Sequence, residues 1–319
     1  MTDCPKNGLA SIPEIGLGTW KAKRGEVGTA VSTALDIGYR HIDCASIYNN
    51  EREIGAAISQ AIDDNTIKRE QLWVSSKLWN NAHAAKHVRP ALERSLKNLQ
   101  LDHLDLYLIH WPVAFRADIT FPKQPDQFIS LEDLPIIETW RAMEKMVRKG
   151  LCRHIGVSNF NIRLLKELQA QATIQPIINQ IELHPFLQQP KMVRHCQKTG
   201  VQLTAYSPLG SGQRQQVDKY NLFTHRPILS LATKYQCSPA QILLAWSLQR
   251  GTVVIPKSIR PTRLKENFQA TDLHLDKADM ETISRIDRGY RFLDGAFFAP
   301  PGSPYSVNDF WDDHEKVDV

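Results

Sequence analysis

Apolar residues in this chain follow two alternating rhythms. Short runs rich in Ile, Val and Leu occupy 14–18 (EIGLG), 40–43 (RHID), 72–77 (LWVSSK), 104–110 (LDLYLIH), 154–159 (HIGVSN), 176–182 (PIINQIE), 201–207 (VQLTAYS) and 252–258 (TVVIPKS); each reads as a strand. Between them, apolar positions recur at helical spacing over 25–37, 51–63, 85–99, 135–149, 161–171, 189–199, 226–236 and 261–269. A further helix over 238–251 opens on the cap Ser238 followed by Pro239 and ends at Gly251. Eight strand–helix units predict an α/β fold, a closed (β/α)8 TIM barrel. No composition break or Gly/Ser linker divides the chain, so a single domain is expected over 1–319.

Three stretches fall outside the repeat. Asn7-Gly8 is a hairpin-turn signal, so an N-terminal β-hairpin is expected before the first barrel strand. The polar stretch 210–224 reads as a long surface loop. Residues 288–311 carry six aromatic and three proline residues beyond Arg291 with no clear period, which predicts a long C-terminal loop packed over the barrel. The last residues, HEKVDV, are expected to fray.

Composition adds little beyond exclusions. Of 319 residues, 42% are hydrophobic and 23% charged, as in ordinary globular proteins. The net charge of +5 is mild and interspersed, with no Lys/Arg block that marks a nucleic-acid partner. No run approaches the roughly 18 apolar residues of a membrane span, and the first 20 residues hold no apolar leader. The five cysteines are scattered and form no CxxC pair, which suits reduced thiols and a cytoplasmic location.

Candidate chemistry gathers at strand ends. In a barrel of this kind, function sits at the C-terminal ends of the strands. Asp43 ends the second strand with Tyr48 in the loop behind it, Lys77 ends the third and His110 the fourth. Any one of them has an ordinary explanation as a cap or turn residue. Together they would share one mouth. A phenol titrates near 10 when free, and a nearby ammonium is expected to lower that value. A carboxylate would keep the lysine charged, and a histidine N–H would support a developing oxyanion. Such a set suits proton transfer to a carbonyl, with hydride supplied by a cofactor.

The flanking motifs GYRHIDCASIYNNE, SSKLW, LIHWP, GVSNF, NQIELHP, AYSPLGS and IPKSIRPTRLKEN run in order through the barrel, and with them the sequence resembles the aldo-keto reductases. The resemblance implies a catalytic tetrad of Asp43, Tyr48, Lys77 and His110, and NADPH/NADP+ bound without a Rossmann domain. GLGTW lacks the third glycine of that fingerprint. It further implies that Ser158, Asn159 and Gln180 hold the nicotinamide carboxamide and that Tyr206 stacks on its ring. Ser207, Leu209 and Ser211 would belong to a loop over the pyrophosphate. Lys257, Ser258 and Arg263 would meet the 2′-phosphate, Glu266 and Asn267 the adenine. Gly18, Thr19 and Trp20, with Asp43, would lie beside the nicotinamide. Trp20, Tyr48, Trp79, His110 and Trp111 would line the substrate pocket, while Phe121, Phe298 and Trp311 sit in the loops that set substrate preference. Arg260 either adds a phosphate contact or points to solvent.

The implied function is reduction of aldehydes, and of some ketones or aldoses, by a monomer or weak dimer acting on small carbonyl compounds. The alternative is a cofactor-binding relative without catalysis, against which the intact tetrad argues. An isomerase or metal hydrolase on the same fold would need a carboxylate pair or His cluster at the rim, which the sequence lacks. His83 and His87 are spaced i, i+4 but lack the acid of an HExxH motif, so they read as a solvated pair and no metal is expected. Cys44 reads as a small buried residue rather than a reactive one.

Overall fold

The computed structural model describes residues 12–210 and 220–311. Eight parallel strands form one sheet in the order β1 (Leu17–Gly18), β2 (His41–Asp43), β3 (Trp73–Leu78), β4 (Leu104–Ile109), β7 (Cys152–Ser158), β8 (Ile178–Glu182), β9 (Gln202–Tyr206) and β10 (Val253–Val254). The sheet closes on itself. Ile15 bridges Val254, and the N–H groups of Gly16 and Gly18 donate to the carbonyls of Val254 and Pro256 at 2.8 and 3.1 Å. Gly18 is needed at this seam, since a Cβ there would lie 2.6 Å from the Ile255 carbonyl oxygen.

The seam strands are shorter than the expected 14–18 and 252–258. Pro256 has no N–H to continue the ladder beyond β10. The pair β5 (Ala114–Phe115) and β6 (Phe128–Ile129), a small antiparallel ribbon above the barrel, was absent from the expected elements. The expected N-terminal hairpin and the terminal HEKVDV lie outside the described residues, as does most of the loop at 210–224.

The helices fall within two residues of expectation: α1 (Val27–Ile37), α2 (Glu51–Asp63), α3 (Ala85–Leu99), α4 (Ile136–Arg148), α5 (Ile162–Gln171), α6 (Pro190–Thr199), α7 (Arg226–Lys234), α8 (Pro239–Gln249) and α9 (Pro261–Phe268). Ser238 caps α8 as the sequence predicts, in a reciprocal capping box with Gln241. Two helices were not expected: α10 (Lys277–Ser284) and the one-turn α11 (Val307–Trp311) inside the C-terminal loop. Among the described residues, no helix is long and apolar enough to cross a membrane.

Strand periodicity decides what faces the barrel axis. On β3, Val74 joins the core between sheet and helices and Ser76 reaches Glu51 of α2, so both face outward. Trp73, Ser75 and Lys77 face inward. Trp73 packs with Leu106, Leu108 and Ile178 as an apolar floor, while Ser75 and Lys77 rise above it to the mouth. The candidate catalytic groups thereby sit above an apolar floor, at the top of the interior.

A separate aromatic cluster caps that mouth. Trp79, Trp111, Phe115 and Phe128 meet Phe298, Tyr305, Phe310 and Trp311 of the C-terminal loop. The Tyr305 hydroxyl accepts from the Ala114 N–H at 2.9 Å and donates to the Ile129 carbonyl. One side chain thus stitches the C-terminal loop across both strands of the ribbon. The unpatterned stretch at 288–311 is a packed wall, as the sequence suggested.

Candidate active site

Asp43 is placed by the end of β2, where its carbonyl accepts from Thr19 Oγ1 at 2.7 Å. Its carboxylate accepts three bonds: Lys77 Nζ to Oδ2 at 2.6 Å, and Ser75 Oγ and Gln180 Nε2 to Oδ1 at 2.8 and 2.9 Å. Lys77 is fully buried and also donates to the Cys44 carbonyl at 2.8 Å. Burial works to lower its pKa, but the Asp43 and Tyr48 charges outweigh burial and the net shift is upward, so the lysine is held as the ammonium.

The short 3₁₀ turn Ser46–Tyr48 brings Tyr48 over this pair, and Asn49, left-handed at φ 56°, ends the turn. Lys77 Nζ lies 5.2 Å from the centroid of the Tyr48 ring, and His110 meets that ring edge-on at 5.8 Å. The expected lowering of the phenol pKa is corrected here. Burial pushes Tyr48 up to about 12, with Lys77 opposing only in part. Burial is the larger effect, and the neighbouring carboxylate offsets part of the ammonium's pull, so the phenol faces an ion pair rather than a bare cation. Tyr48 therefore keeps its proton at neutral pH. His110 is driven well below 6.5 by burial first, then by Lys77 and His83, and is a neutral imidazole.

Ser158, Asn159 and Gln180 stand side by side on β7 and β8. Ser158 Oγ donates to the Gln180 carbonyl at 2.8 Å, and Asn159 Nδ2 donates to the His110 carbonyl at 2.9 Å. Asn159 takes φ 62°, and its Oδ1 accepts from the Tyr206 hydroxyl at 2.8 Å. These groups and the candidate tetrad open on one cavity of about 900 Å³ that runs from Trp111 past Tyr206 to Lys257. Asp43, Tyr48 and His110 line it; Lys77 sits behind them. Gly18, Thr19, Trp20, Ser207 and Leu209 line it too. Ser211 lies outside the described residues.

The far end is less enclosed. Lys257 is exposed at the cavity's edge, and burial of its stem lowers its pKa against the attraction of Glu26. Ser258 is buried, its Oγ accepting from the Arg260 N–H at 3.2 Å. Arg260 and Arg263 are exposed at the start of α9, with Glu266 half-buried and Asn267 buried beyond them. Ser258, Arg263, Glu266 and Asn267 are not part of the cavity's lining; they stand beyond Lys257, before and along α9. Buried amide and hydroxyl groups beside an aromatic ring, with a cationic helix start beyond, fit a nicotinamide dinucleotide in donor chemistry.

Trp20, Trp79 and Trp111 all line the cavity, and the latter two also belong to the buried aromatic cluster. Trp79 Nε1 donates to the Thr120 carbonyl at 2.8 Å, which holds the exposed Phe121 at the mouth. Phe298 and Trp311 stand behind the lining, edge-on to Trp111 at 5.1 and 6.1 Å. Ser75 was missed in the sequence, although alternation with Lys77 put it on the same strand face. Phe292, Leu293 and Phe297 of the C-terminal loop also line the cavity. Their loop has no period to reveal that.

His83 is not solvated. It is buried beside α4, its carbonyl accepting from Thr139, and burial depresses its pKa to about 3. No three His, Cys, Asp or Glu side chains converge among the described residues. Cys44 is fully buried as expected, its thiol pushed up by burial and then by the Glu51 and Asp43 charges.

Known proteins are similar to this chain over most of its length. An aldo/keto reductase of Synechocystis sp. is 49% identical over 313 residues, spanning 97% of this chain and 96% of its own. Aldo-keto reductase family 1 member A1 of Gallus gallus is 48% identical over 286 residues, 88% of each chain. The structure of the aldose reductase from Schistosoma japonicum superposes with a TM-score of 0.86 at 40% identity, covering 94% of this chain and 97% of that one. The profile of the aldo/keto reductase family matches residues 14–288, and the chain belongs to that family of oxidoreductases.

Proposed function

We propose that the protein reduces aldehydes, with some ketones or aldoses, to alcohols with NADPH, the whole chain acting as one domain. The observation that carries this reading is the buried Lys77–Asp43 pair at 2.6 Å beneath a protonated Tyr48, with neutral His110 facing the same cavity. When bound, NADPH supplies the hydride. Tyr48 gives its hydroxyl proton to the carbonyl oxygen as that oxygen gains charge, and the Lys77 ammonium stabilises the phenolate left behind. Asp43 keeps Lys77 charged and fixed, while His110 donates its one N–H to the same oxygen. Ser158, Asn159 and Gln180 would hold the carboxamide, Tyr206 the ring, and Trp20, Trp79 and Trp111 would exclude water from the reacting carbon. A mouth of this composition favours small, apolar or mixed carbonyl compounds. A cytoplasmic monomer or weak dimer is in keeping with the reading. The test is loss of NADPH absorbance across a panel of aldehydes, ketones and aldoses, with NADH as the control. No turnover on any of them would leave only a cofactor-binding role.

Cofactor choice follows from Arg263 at the start of α9. A hydrogen bond to a charged group contributes roughly 1.5–3 kcal/mol, about 10- to 150-fold in affinity. Arg263→Ala is expected to weaken NADPH by about that factor and NADH hardly at all, as read by fluorescence titration. Equal weakening of both cofactors removes the 2′-phosphate assignment.

The neutral state of His110 predicts a pH profile. Because burial, Lys77 and His83 hold it well below the ordinary value of about 6.5, kcat/KM should show no acid limb centred there. An acid limb near pH 6.5 that disappears in His110→Gln would show that the imidazole titrates in the working range.

A further inference from the structure

Glu182, outside the group assigned above, ends β8 with a carboxylate fully enclosed in protein. It serves neither β8 nor the helix after it. Its Oε1 accepts from the Phe292 N–H at 2.7 Å and its Oε2 from the Leu293 N–H at 2.9 Å, 110 and 111 residues further along the chain. His184 Nε2 lies 2.8 Å from Oε1, beside the same carboxylate. The His184 ring packs against Phe292 at 5.0 Å, and Glu182 pairs in register with Tyr206 on β9. The two N–H groups it holds belong to the residues by which the C-terminal loop enters the cavity wall.

We propose that Glu182 is a positioning residue: a buried carboxylate, itself set by His184, that clamps the backbone of Phe292 and Leu293 and so fixes the wall of the pocket that selects bulky substrates. A carboxylate offers two acceptor oxygens and can receive two adjacent N–H groups at once, whereas a glutamine presents one oxygen and turns an NH₂ toward the other donor. The contact is to backbone, so it sets where the loop sits without dictating its side chains.

The inference rests on the proposed reductase reading only in that the cavity receives the carbonyl compound, and its test separates the two. In Glu182→Gln, amide hydrogen exchange in a peptide covering 290–296 should quicken by about tenfold or more, the factor set by losing one charge-assisted bond, with β3 and β4 peptides unchanged. KM for a bulky aromatic aldehyde should rise by a similar factor, with kcat within about threefold and KM for a three-carbon aldehyde nearly unmoved. Glu182→Asp keeps the charge but draws the carboxylate back by one methylene from both N–H groups, and should give the same split even where the glutamine variant does not fold. Unchanged exchange at 290–296, or a KM rise equal for small and bulky aldehydes, overturns the proposal. Should wild-type protein turn over no aldehyde, the reductase reading fails while the exchange result still decides the clamp.

Discussion

Tyr48→Phe is expected to lower kcat by about 10²–10⁴-fold, the usual contribution of a positioned general acid, with NADPH affinity nearly unchanged. The substitution keeps the ring, its edge contact with His110 at 5.8 Å and its place above Lys77 at 5.2 Å. Only the hydroxyl is lost. Because that proton is needed in the transition state and not in the bound ground state, the loss should appear in kcat rather than in cofactor binding. A pKa of about 12 makes the phenol a reservoir that is filled throughout the neutral range, so proton supply should not limit the wild-type rate there. Near-normal kcat in Tyr48→Phe would transfer the donor role to His110, the other cavity group that faces Tyr48.

Lys77→Met tests the pair beneath the phenol, and here stability should change as well. Methionine approximates the lysine in length and leaves Asp43 buried without its cation. Removing one partner of a buried pair costs about 3–5 kcal/mol, readable in urea unfolding, and turnover should fall with it. The double variant Asp43→Asn with Lys77→Met should regain much of the stability, since no unpaired charge remains, but none of the turnover. Lys77 has a folded pKa raised above its unfolded value of about 10.5, so the pair's contribution is full below that pH and is lost as pH climbs through the raised value. Burial raises the Tyr48 pKa in the same sense. Wild-type stability carried by the pair should therefore be constant across neutral pH and fall only in strong alkali, whereas in Lys77→Met the unpaired buried Asp43 takes up a proton as pH falls and the gap narrows on the acid side. A wild-type contribution that is lost as pH rises from 6 to 8 would mean that another group carries the coupling.

The barrel was legible because eight apolar runs and their helices keep distinct periods, and each period is a local property. The position of the candidate tetrad was legible for the same reason: strand ends in a barrel meet at one rim. What escaped depended on distant packing. The ribbon β5–β6 has two residues per strand, too few to carry a period. His83 sits in a polar stretch, and its burial comes from Thr139 and α4, which no local pattern announces. The pKa of Tyr48 was misjudged because the sequence reveals the lysine beside it but neither the burial of the phenol nor how Asp43 offsets part of that charge. Glu182 appeared only as a motif letter; the two loop N–H groups it holds lie more than a hundred residues away and belong to the backbone, which no side-chain pattern encodes.

The Tyr305 hydroxyl, bonded at once to Ala114 and Ile129, has a consequence for how such barrels diversify. A graft that replaces only the C-terminal segment would strand an N–H and a carbonyl on the ribbon, and replacing only the ribbon would strand the hydroxyl. An exchange that keeps these bonds must therefore carry the two segments as a single cassette. A library that varies ribbon side chains is tolerated by this contact so long as Tyr305 and the ribbon's backbone path are kept.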